Sequence, residues 1–290
     1  MNQIVYDQPA AEYHAAEGLN KSSIDKLLRC PLEYKLSLEQ KQEEPTPSMR
    51  FGTMLHTRVL EPKAYDAGYH VMQNLGSTKD GRDEKKACEK QGRICITKAD
   101  EEKATAMHLN LHQHRKIADL LFNLPGRSEV SVYWEMPLRQ DSEQTRQCKA
   151  RIDRLVELPD GTFIAVDLKT TAGIPSLEGL PKHIADFGYH RQAAWYCEGL
   201  RRLDVTCREF VFAFTSTTPP HLCTAVIVDA EAEVLGLREC LYAAELLADC
   251  EASGVWPSYS ETIQTVGLPS WYYFNASKRP LPELPGLAAY

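Results

Sequence analysis

The chain has 290 residues, of which 43% are hydrophobic and 25% are charged. This balance is typical of a globular protein and excludes a mostly disordered or collagen-like chain. Its 33 basic and 40 acidic residues give a formal net charge of −7, which argues against a protein that coats nucleic acid non-specifically. Any contact with DNA would need a local positive surface or metal ions.

No apolar run reaches the roughly 18 residues that would suggest a membrane span. The N-terminus shows no basic region followed by an apolar stretch, so we expect a cytoplasmic protein without contact to a membrane. The nine cysteines are odd in number and form no C-x-x-C pair. We therefore predict free thiols in a reducing compartment and no zinc or iron–sulfur site.

The first hundred residues read as helices with interruptions. Residues 1–18 are interpreted as a polar arm, and residues 19–38 as a helix that breaks at Pro31 and has Asn20, Ser22 or Ser23 as its N-cap. A linker at 43–47 precedes a helix at 48–60 that ends before Pro62. Residues 76–93 are charged and punctuated by glycine, which predicts a mobile loop, with a flap over a polyanion as the alternative.

A helix is predicted over 98–124. It carries His108, His112 and His114, which we interpret as surface residues and not as metal ligands because no acid or cysteine completes a set. The pattern then changes to strands at 128–138, 148–158 and 162–170, with a tight turn at 159–161. A helix at 181–203, strands at 208–216 and 222–229, and a helix at 231–253 follow, and an aromatic segment forms a C-terminal strap. This order predicts a mixed α/β sheet with helices on its faces.

The most informative residues lie in the hairpin of strands 148–158 and 162–170. The hairpin brings Asp153 beside Asp167 and Lys169, and the last two share one face of a strand because they are two residues apart. Burying such charges is costly unless they are paired or bind a metal, and acidic oxygen ligands suit Mg²⁺ or Mn²⁺. A lysine there can orient the attacking water or stabilise charge on a phosphate. The alternative is an ordinary ion pair at the end of a strand.

Several sequence blocks occur in order between residues 19 and 200: L-N-K-S-S-I with R-C-P-L-E-Y, F-G-T-M-L-H, S-E-V, K-A-R-I-D, V-D-L-K-T-T and G-Y-H-R-Q-A-A-W-Y. The ordered set resembles the PD-(D/E)XK nuclease superfamily and is most similar to the recombination exonucleases of the RecE (exonuclease VIII) and phage lambda exonuclease group. The resemblance implies a restriction-endonuclease-like α/β core, in which a central mixed β-sheet is flanked by helices. It implies one nuclease domain over 1–290, with N-terminal helices at 19–65, a mobile charged segment at 66–100, the catalytic core at 101–230 and the C-terminal helix and strap at 231–290.

The resemblance also assigns roles to individual residues. His56, which no local pattern singles out, would be a metal ligand, as would Asp153, Asp167 and the backbone carbonyl of Leu168. By the same resemblance, Lys169 would be the catalytic lysine, and Gln192 and Tyr196 would form the family's Q-x-x-x-Y motif. Glu129 would be an acidic residue of the active site. Ser22 and Arg151 would contact a 5′-terminal phosphate. Read without the family, Gln192 and Tyr196 would only be polar positions of an amphipathic helix.

These roles imply a Mg²⁺-dependent exonuclease, with Mn²⁺ as a substitute, that uses two metal ions to resect double-stranded DNA from 5′ ends and leaves 3′ single strands for phage-type recombination. The implied partners are DNA ends, a single-strand annealing recombinase and further copies of the chain in a ring, a trimer rather than a tetramer. The cysteine spacing of the iron–sulfur relatives and a helicase P-loop are both absent from the sequence. Two alternatives remain: a nuclease of the same core with endonuclease activity or opposite polarity, and an inactive module that binds DNA ends.

Overall fold

The computed structural model describes residues 2–40, 44–138 and 144–282. Its strands are β1 (Gln3–Val5), β2 (Tyr69–Val71), β3 (Ile94–Ile96), β4 (Gly126–Pro137), β5 (Thr145–Glu157), β6 (Phe163–Thr171), β7 (Cys207–Ser216) and β8 (Cys223–Val226). The α-helices are α1 (Ala10–Ala15), α2 (Lys21–Arg29), α3 (Pro31–Glu39), α4 (Pro47–Leu60), α5 (Pro62–Gly68), α6 (Lys79–Lys90), α7 (Lys98–Gln113), α8 (Arg115–Ala118), α9 (Leu180–Phe187), α10 (Tyr189–Arg201), α11 (Ala230–Ser253) and α12 (Ser270–Ala276).

Six of the strands form one sheet in the order β1-β4-β5-β6-β7-β8. Only the pair β6–β7 is parallel, and its crossover runs through α9 and α10. The others are antiparallel neighbours, and β2 and β3 form a separate parallel pair. The predicted mixed α/β sheet with flanking helices is thereby confirmed.

The sheet separates two hydrophobic clusters. One is formed with α2, α10 and α11 and contains Trp134, Trp195 and Phe212. The other is formed with α4, α7 and α8 and contains Met107 and Leu168. Because β6 and β7 are covered on both faces, each contains a continuous apolar run, residues 163–166 of β6 and 210–214 of β7, as expected for parallel strands. The polar residues of β6 therefore stand out against a buried background.

The predicted polar arm is part of the fold, so that interpretation was wrong. β1 pairs with β4 at the edge of the sheet, and α1 ends over the buried side chain of Lys149. The Lys149 ammonium donates hydrogen bonds to the carbonyl oxygens of Tyr13 at 2.9 Å, His14 at 3.4 Å and Ala16 at 2.5 Å. Carbonyl groups at a helix end lack partners within the helix, so this ammonium satisfies them and anchors α1 to β5.

The prediction of a mobile loop at 76–93 was also wrong, because most of this segment forms the helix α6. Thr78 caps this helix by accepting a hydrogen bond from the Gly81 N–H at 3.0 Å. Glu84 then accepts hydrogen bonds from the backbone N–H groups of Gln73 at 2.8 Å and Asn74 at 3.0 Å. The charged residues of the segment thus stabilise a local helix, which net hydrophilicity could not reveal.

Two predicted long helices are interrupted. The first breaks at His114 and continues through α8 and a π-helical turn at Asp119–Asn123. The second breaks between α9 and α10 at Gly188, whose φ of +62° favours glycine. The break at Pro31 and the cap at Asn20 are confirmed: Asn20 accepts a hydrogen bond from the Ser23 N–H at 3.0 Å.

The strap crosses α3, since Trp256 stacks on Tyr34 with ring centroids 6.3 Å apart. It then forms α12. Residues 283–290 of the strap, Met1 of the arm and Glu43 of the linker lie outside the described residues.

Candidate metal centre and active site

The site lies where β5 and β6 separate. Their antiparallel ladder ends at the pair Arg154 and Val166, so the next opposed residues, Asp153 and Asp167, make no backbone pair. Instead the Asp153 carboxylate accepts a hydrogen bond from the Leu168 N–H at 2.8 Å. The N–H and C=O of one strand residue point to the same edge of the strand. The Leu168 carbonyl therefore faces the gap between β5 and β6.

Three possible metal ligands meet at this gap. Donor atoms of His56, Glu129 and Asp153 all lie within 4.8 Å of one another, and Nδ1 of His56 is 3.4 Å from Oδ2 of Asp153. His56 comes from α4, which packs along β6: a Cβ at Gly52, one turn before His56, would lie 3.6 Å from the Thr170 hydroxyl. In the described part of the chain, His56, Glu129 and Asp153 are the one group of three or more His, Cys, Asp or Glu residues that could hold a metal ion.

Glu129 has a strained backbone. Its φ of +53° lies in the left-handed region, which costs a non-glycine residue on the order of 1–3 kcal/mol. The β4–β5 ladder is regular on both sides but omits the pair between Glu129 and Asp153. Arg151 holds the Glu129 carboxylate through Nε at 2.5 Å. The distortion turns this carboxylate toward Asp153 and His56, so Glu129 joins the candidate ligands.

Asp167, which the family resemblance predicts as a metal ligand, lies outside that group of three and is held by other partners, so its role as a ligand stays a prediction. Its side chain is only 3% exposed, and Oδ2 is 2.6 Å from the Lys169 ammonium. The Gln192 amide of α10 donates a hydrogen bond to Oδ1. The predicted pairing of Asp167 and Lys169 on one strand face is therefore observed, and Gln192 reaches the same carboxylate.

The electrostatics of the site favour a bound cation. Burial and the negative charges of Asp167 and Glu129 raise the pKa of Asp153 well above its ordinary value. Burial lowers the pKa of His56, which keeps its imidazole neutral and able to bind a metal. Burial alone would lower the pKa of Lys169, but Asp167 and Asp153 outweigh it and raise the pKa, so Lys169 stays an ammonium.

The donor set fits a divalent metal ion. It consists of carboxylate oxygens, one neutral imidazole and the Leu168 carbonyl, a combination that suits Mg²⁺ or Mn²⁺. A hydrogen bond from the His56 ring to the Leu168 backbone carbonyl opposes the effect of burial on the pKa of His56, which places these two residues in contact. Burial and the neighbouring carboxylates raise the pKa of Asp153 against the opposing charge of Lys169.

Tyr196 and Gln192 lie on the same side of the site, as their spacing predicts. Burial raises the pKa of Tyr196 well above its ordinary value, and a hydrogen bond with Gln192 opposes the shift. Its ring packs edge-on against Phe210 at 5.7 Å. Sequence analysis missed Tyr13, whose ring centroid lies 4.8 Å from the ammonium of Lys149 and 5.6 Å from the guanidinium of Arg151. It lies more than a hundred residues from β5, and no local pattern connects the two.

The two residues predicted to bind a 5′-phosphate are placed differently. Ser22 is exposed on the first turn of α2. Arg151 is nearly buried, bound to Glu129, and donates a second hydrogen bond to the Gln8 carbonyl at 3.0 Å. The structure describes no hydrogen bond or ion pair that joins Ser22 and Arg151, so their shared phosphate stays a prediction.

The histidines of α7 have other partners. The Nε2 atoms of His108 and His112 are 3.0 Å apart, and the His112 ring stacks on Phe122 with centroids 3.8 Å apart. Burial lowers the pKa of His108 to about 4, consistent with a packed neutral ring.

Among the described helices, none is both long and apolar enough to cross a membrane.

Comparison with known proteins gives one family and one informative fold. The family model described as "PDDEXK-like domain of unknown function (DUF3799)" matches residues 21–269. No curated protein matches the chain. Among solved structures, a "Putative exonuclease" from Eubacterium rectale is 15% identical with a TM-score of 0.60, over 94% of this chain and 99% of that chain. At this identity the likeness shows a shared fold.

A second solved structure, SSO0001, is 14% identical over 78% of this chain and 85% of that chain. Its TM-score of 0.31 is too low to establish a shared fold.

Proposed function

We propose, from the premise that this chain belongs to the PDDEXK-like domain family, that it is a divalent-metal-dependent nuclease that degrades double-stranded DNA from 5′ ends. The strongest support is the meeting of His56, Glu129 and Asp153 within 4.8 Å beside the buried pair of Asp167 and Lys169. The description of the Eubacterium rectale protein as a "Putative exonuclease" favours attack at ends over internal cleavage.

His56, Glu129, Asp153 and the Leu168 carbonyl would hold Mg²⁺, with Mn²⁺ as a substitute. The bound ion would polarise the scissile phosphate and lower the pKa of the attacking water. Lys169, an ammonium 2.6 Å from Asp167, is suited to stabilise negative charge that develops on the phosphate.

Positioning residues complete the centre. The Gln192 amide fixes the orientation of the Asp167 carboxylate, and Arg151 does the same for Glu129. Tyr196 is half-buried and its hydroxyl stays protonated because burial raises its pKa. It can therefore donate a hydrogen bond to a DNA phosphate. In the proposed reaction Asp167 and Lys169 act as one unit, since each balances the charge of the other.

The biological setting follows from the proposed polarity. Resection from a 5′ end leaves a 3′ single strand, which is the substrate of a single-strand annealing recombinase. We propose such a protein as partner, in phage-type recombination, and a ring of three rather than four copies as the active form. Ser22 and Arg151 are the proposed contacts to the 5′-phosphate, which requires Arg151 to exchange Glu129 for the phosphate or to bind both.

End-labelled DNA tests the function. Linear duplex labelled at one 5′ or 3′ end, and covalently closed circular duplex, are incubated with Mg²⁺ or with a chelator. We expect early release of the 5′ label only, intact circles and no reaction with the chelator. Release of the 3′ label first would refute the polarity, and cut circles would identify an endonuclease. End binding without hydrolysis in any divalent metal would identify an inactive module.

A further inference from the structure

A cavity of about 420 Å³ opens directly beyond Lys169 along β6. Its walls include the hydroxyl residues Thr170 and Thr171 and the rings of His183, Phe187 and Tyr189. We call this cavity the aromatic pocket. Its volume lies within the about 300–1,000 Å³ that is usual for pockets that bind small molecules.

The rings are arranged to receive a flat ligand. Phe187 and Tyr189 stack with centroids 5.7 Å apart and an interplanar angle of 21°. His183 lies 4.5 Å from Phe187. Phe187 is nevertheless 53% exposed, which is unusual for a ring that has two aromatic neighbours to pack against. A planar aromatic ligand would cover this exposed face by stacking.

Two ammonium groups lie on the side of the pocket that faces the metal centre, each paired with a carboxylate: Lys169 with Asp167 and Lys21 with Asp25, both at 2.6 Å. The Tyr189 ring has the Lys169 ammonium 4.8 Å and the Lys21 ammonium 5.6 Å from its centroid. Lys21 also donates a hydrogen bond to the Phe187 carbonyl at 2.6 Å. The start of α2, with Ser22, is thereby fixed beside the pocket. A ligand that fits both features carries a phosphate next to a planar base.

Polar atoms are available for the edge of a base. Nε2 of His183 is buried without a hydrogen-bond partner among the described residues, and burial lowers the pKa of His183, so its ring is neutral. The hydroxyl groups of Thr170 and Thr171 add donors and acceptors beside the aromatic surface. Hydrogen bonds of this kind suit the heteroatoms of a nucleobase.

We propose that the aromatic pocket takes the base of the 5′-terminal nucleotide after it has left its complement, while the scissile phosphate lies at Lys169. This assignment rests on the proposed nuclease function. The terminal base has a stacking neighbour on one side only, so it leaves the duplex more readily than an internal base. Stacking on Phe187 and Tyr189 replaces that neighbour and holds the strand in place for attack.

Binding to a hairpin duplex with one open end tests the pocket. The 5′-terminal nucleotide is either normal or an abasic tetrahydrofuran residue, with the 5′-phosphate on both, and affinity is measured by fluorescence anisotropy with Ca²⁺ in place of Mg²⁺. Because aromatic stacking of one base changes affinity by about 5- to 150-fold, we expect the wild type to prefer the normal end by a factor in this range.

Variants assign the preference to the pocket. Phe187→Ala should reduce the preference to near one, whereas Phe187→Trp should retain it. The matched control is Tyr242→Ala, which removes an equally exposed ring on α11 and should keep the wild-type ratio. Equal affinity of the wild type for the normal and the abasic hairpin would overturn the assignment. A ratio of these two affinities that stays at the wild-type value in Phe187→Ala would also overturn it.

A parallel hydrolysis assay with Mg²⁺ separates this proposal from the proposed function. Hydrolysis of the hairpin without a preference for the terminal base would refute the pocket and leave the nuclease intact. A preference that depends on Phe187 in a protein that hydrolyses no DNA would refute the nuclease and retain a nucleotide pocket.

Discussion

Asp167 shows how the site depends on single atoms. Its two carboxylate oxygens are divided between Lys169 and Gln192, and its charge raises the pKa of Asp153. It is therefore both the counter-ion of the lysine and a source of the negative field that favours a cation. Replacing it by asparagine keeps the shape and removes the charge.

We expect Asp167→Asn to lower Mg²⁺-dependent hydrolysis at least about 100-fold, the scale on which preorganised charge contributes to catalysis. The loss of the Lys169 counter-ion should lower the melting temperature, in part offset by the relief of repulsion with Asp153, so hydrolysis is compared below the unfolding transition of both proteins. Asp186→Asn, which removes the partner of Lys182 in an exposed ion pair, is the control and should retain activity. Wild-type turnover in Asp167→Asn would contradict the assignment.

His56 is expected to bind metal because its neutral ring lies 3.4 Å from Asp153. His56→Ala should raise the Mg²⁺ concentration needed for half-maximal hydrolysis about 10-fold or more, with partial rescue by excess Mn²⁺. His112→Ala, which removes a ring stacked on Phe122, serves as the control. A His56→Ala protein that melts earlier but keeps the wild-type metal midpoint would show that His56 only packs.

The sequence could predict part of this site. The residue spacing along the predicted hairpin places Asp153, Asp167 and Lys169 together, because successive residues of a strand follow a regular spacing. Only the family resemblance pointed to His56 and the Leu168 carbonyl as metal ligands. His56 lies on a helix far from the hairpin in sequence, and the position of the carbonyl depends on backbone geometry that residue type does not reveal. The left-handed φ of Glu129 leaves no signal in residue type, because glutamate rarely adopts it.

At the scale of elements, the helix α10 positions the site. It carries Gln192 to Asp167 and packs its opposite side on α11. A Cβ at Gly236 of α11 would lie 2.5 Å from the His190 carbonyl of α10, so a side chain there would force the helices apart. On the next turn, Oε2 of Glu239 lies 2.9 Å from both Nε2 of His190 and the guanidinium of Arg191.

Gly236→Ala should therefore destabilise the fold by about 1–3 kcal/mol, the usual cost of overpacking. Because α10 must shift, hydrolysis should fall more than unfolding alone explains. Gly68→Ala is the matched control, since no atom lies within 4 Å of a Cβ at that position. Urea denaturation and hydrolysis below the unfolding transition measure both effects. Equal stability of the two variants would contradict the close contact.

The order of strands and helices could be predicted, because hydrophobic period and turn residues are local signals. The turn at Gly161 is confirmed by a hydrogen bond from its N–H to the Leu158 carbonyl at 2.9 Å. The failures had tertiary causes. The arm is ordered by the buried Lys149, and α6 is stabilised by Glu84. The partners of Lys149 lie more than 130 residues away and those of Glu84 lie ten and eleven residues away, and composition shows neither.

At the scale of the whole molecule, the net charge argues against tight binding to DNA, while the exposed aromatic rings indicate an interface with another protein chain. A net charge of −7 makes a poor non-specific DNA binder, because duplex affinity comes mainly from neutralised phosphates and released counterions. Long resection thus needs another way to keep the DNA. The helix α12 exposes four consecutive rings, Trp271, Tyr272, Tyr273 and Phe274, by 43% to 63%. Exposed apolar patches of this kind are typical of protein interfaces.

We expect a closed ring of copies, a trimer rather than a tetramer, because a ring retains DNA by topology and not by charge. One heterologous interface repeated around an axis closes such a ring, and the few basic side chains can then converge on its inner surface. Light scattering should give the trimer mass, and one encounter should digest long duplex in the presence of a DNA trap. The double variant Trp271→Ala with Phe274→Ala should dissociate the ring and lose this processivity, while Tyr242→Ala should keep both. A monomer that still digests long duplex in one encounter would contradict the ring.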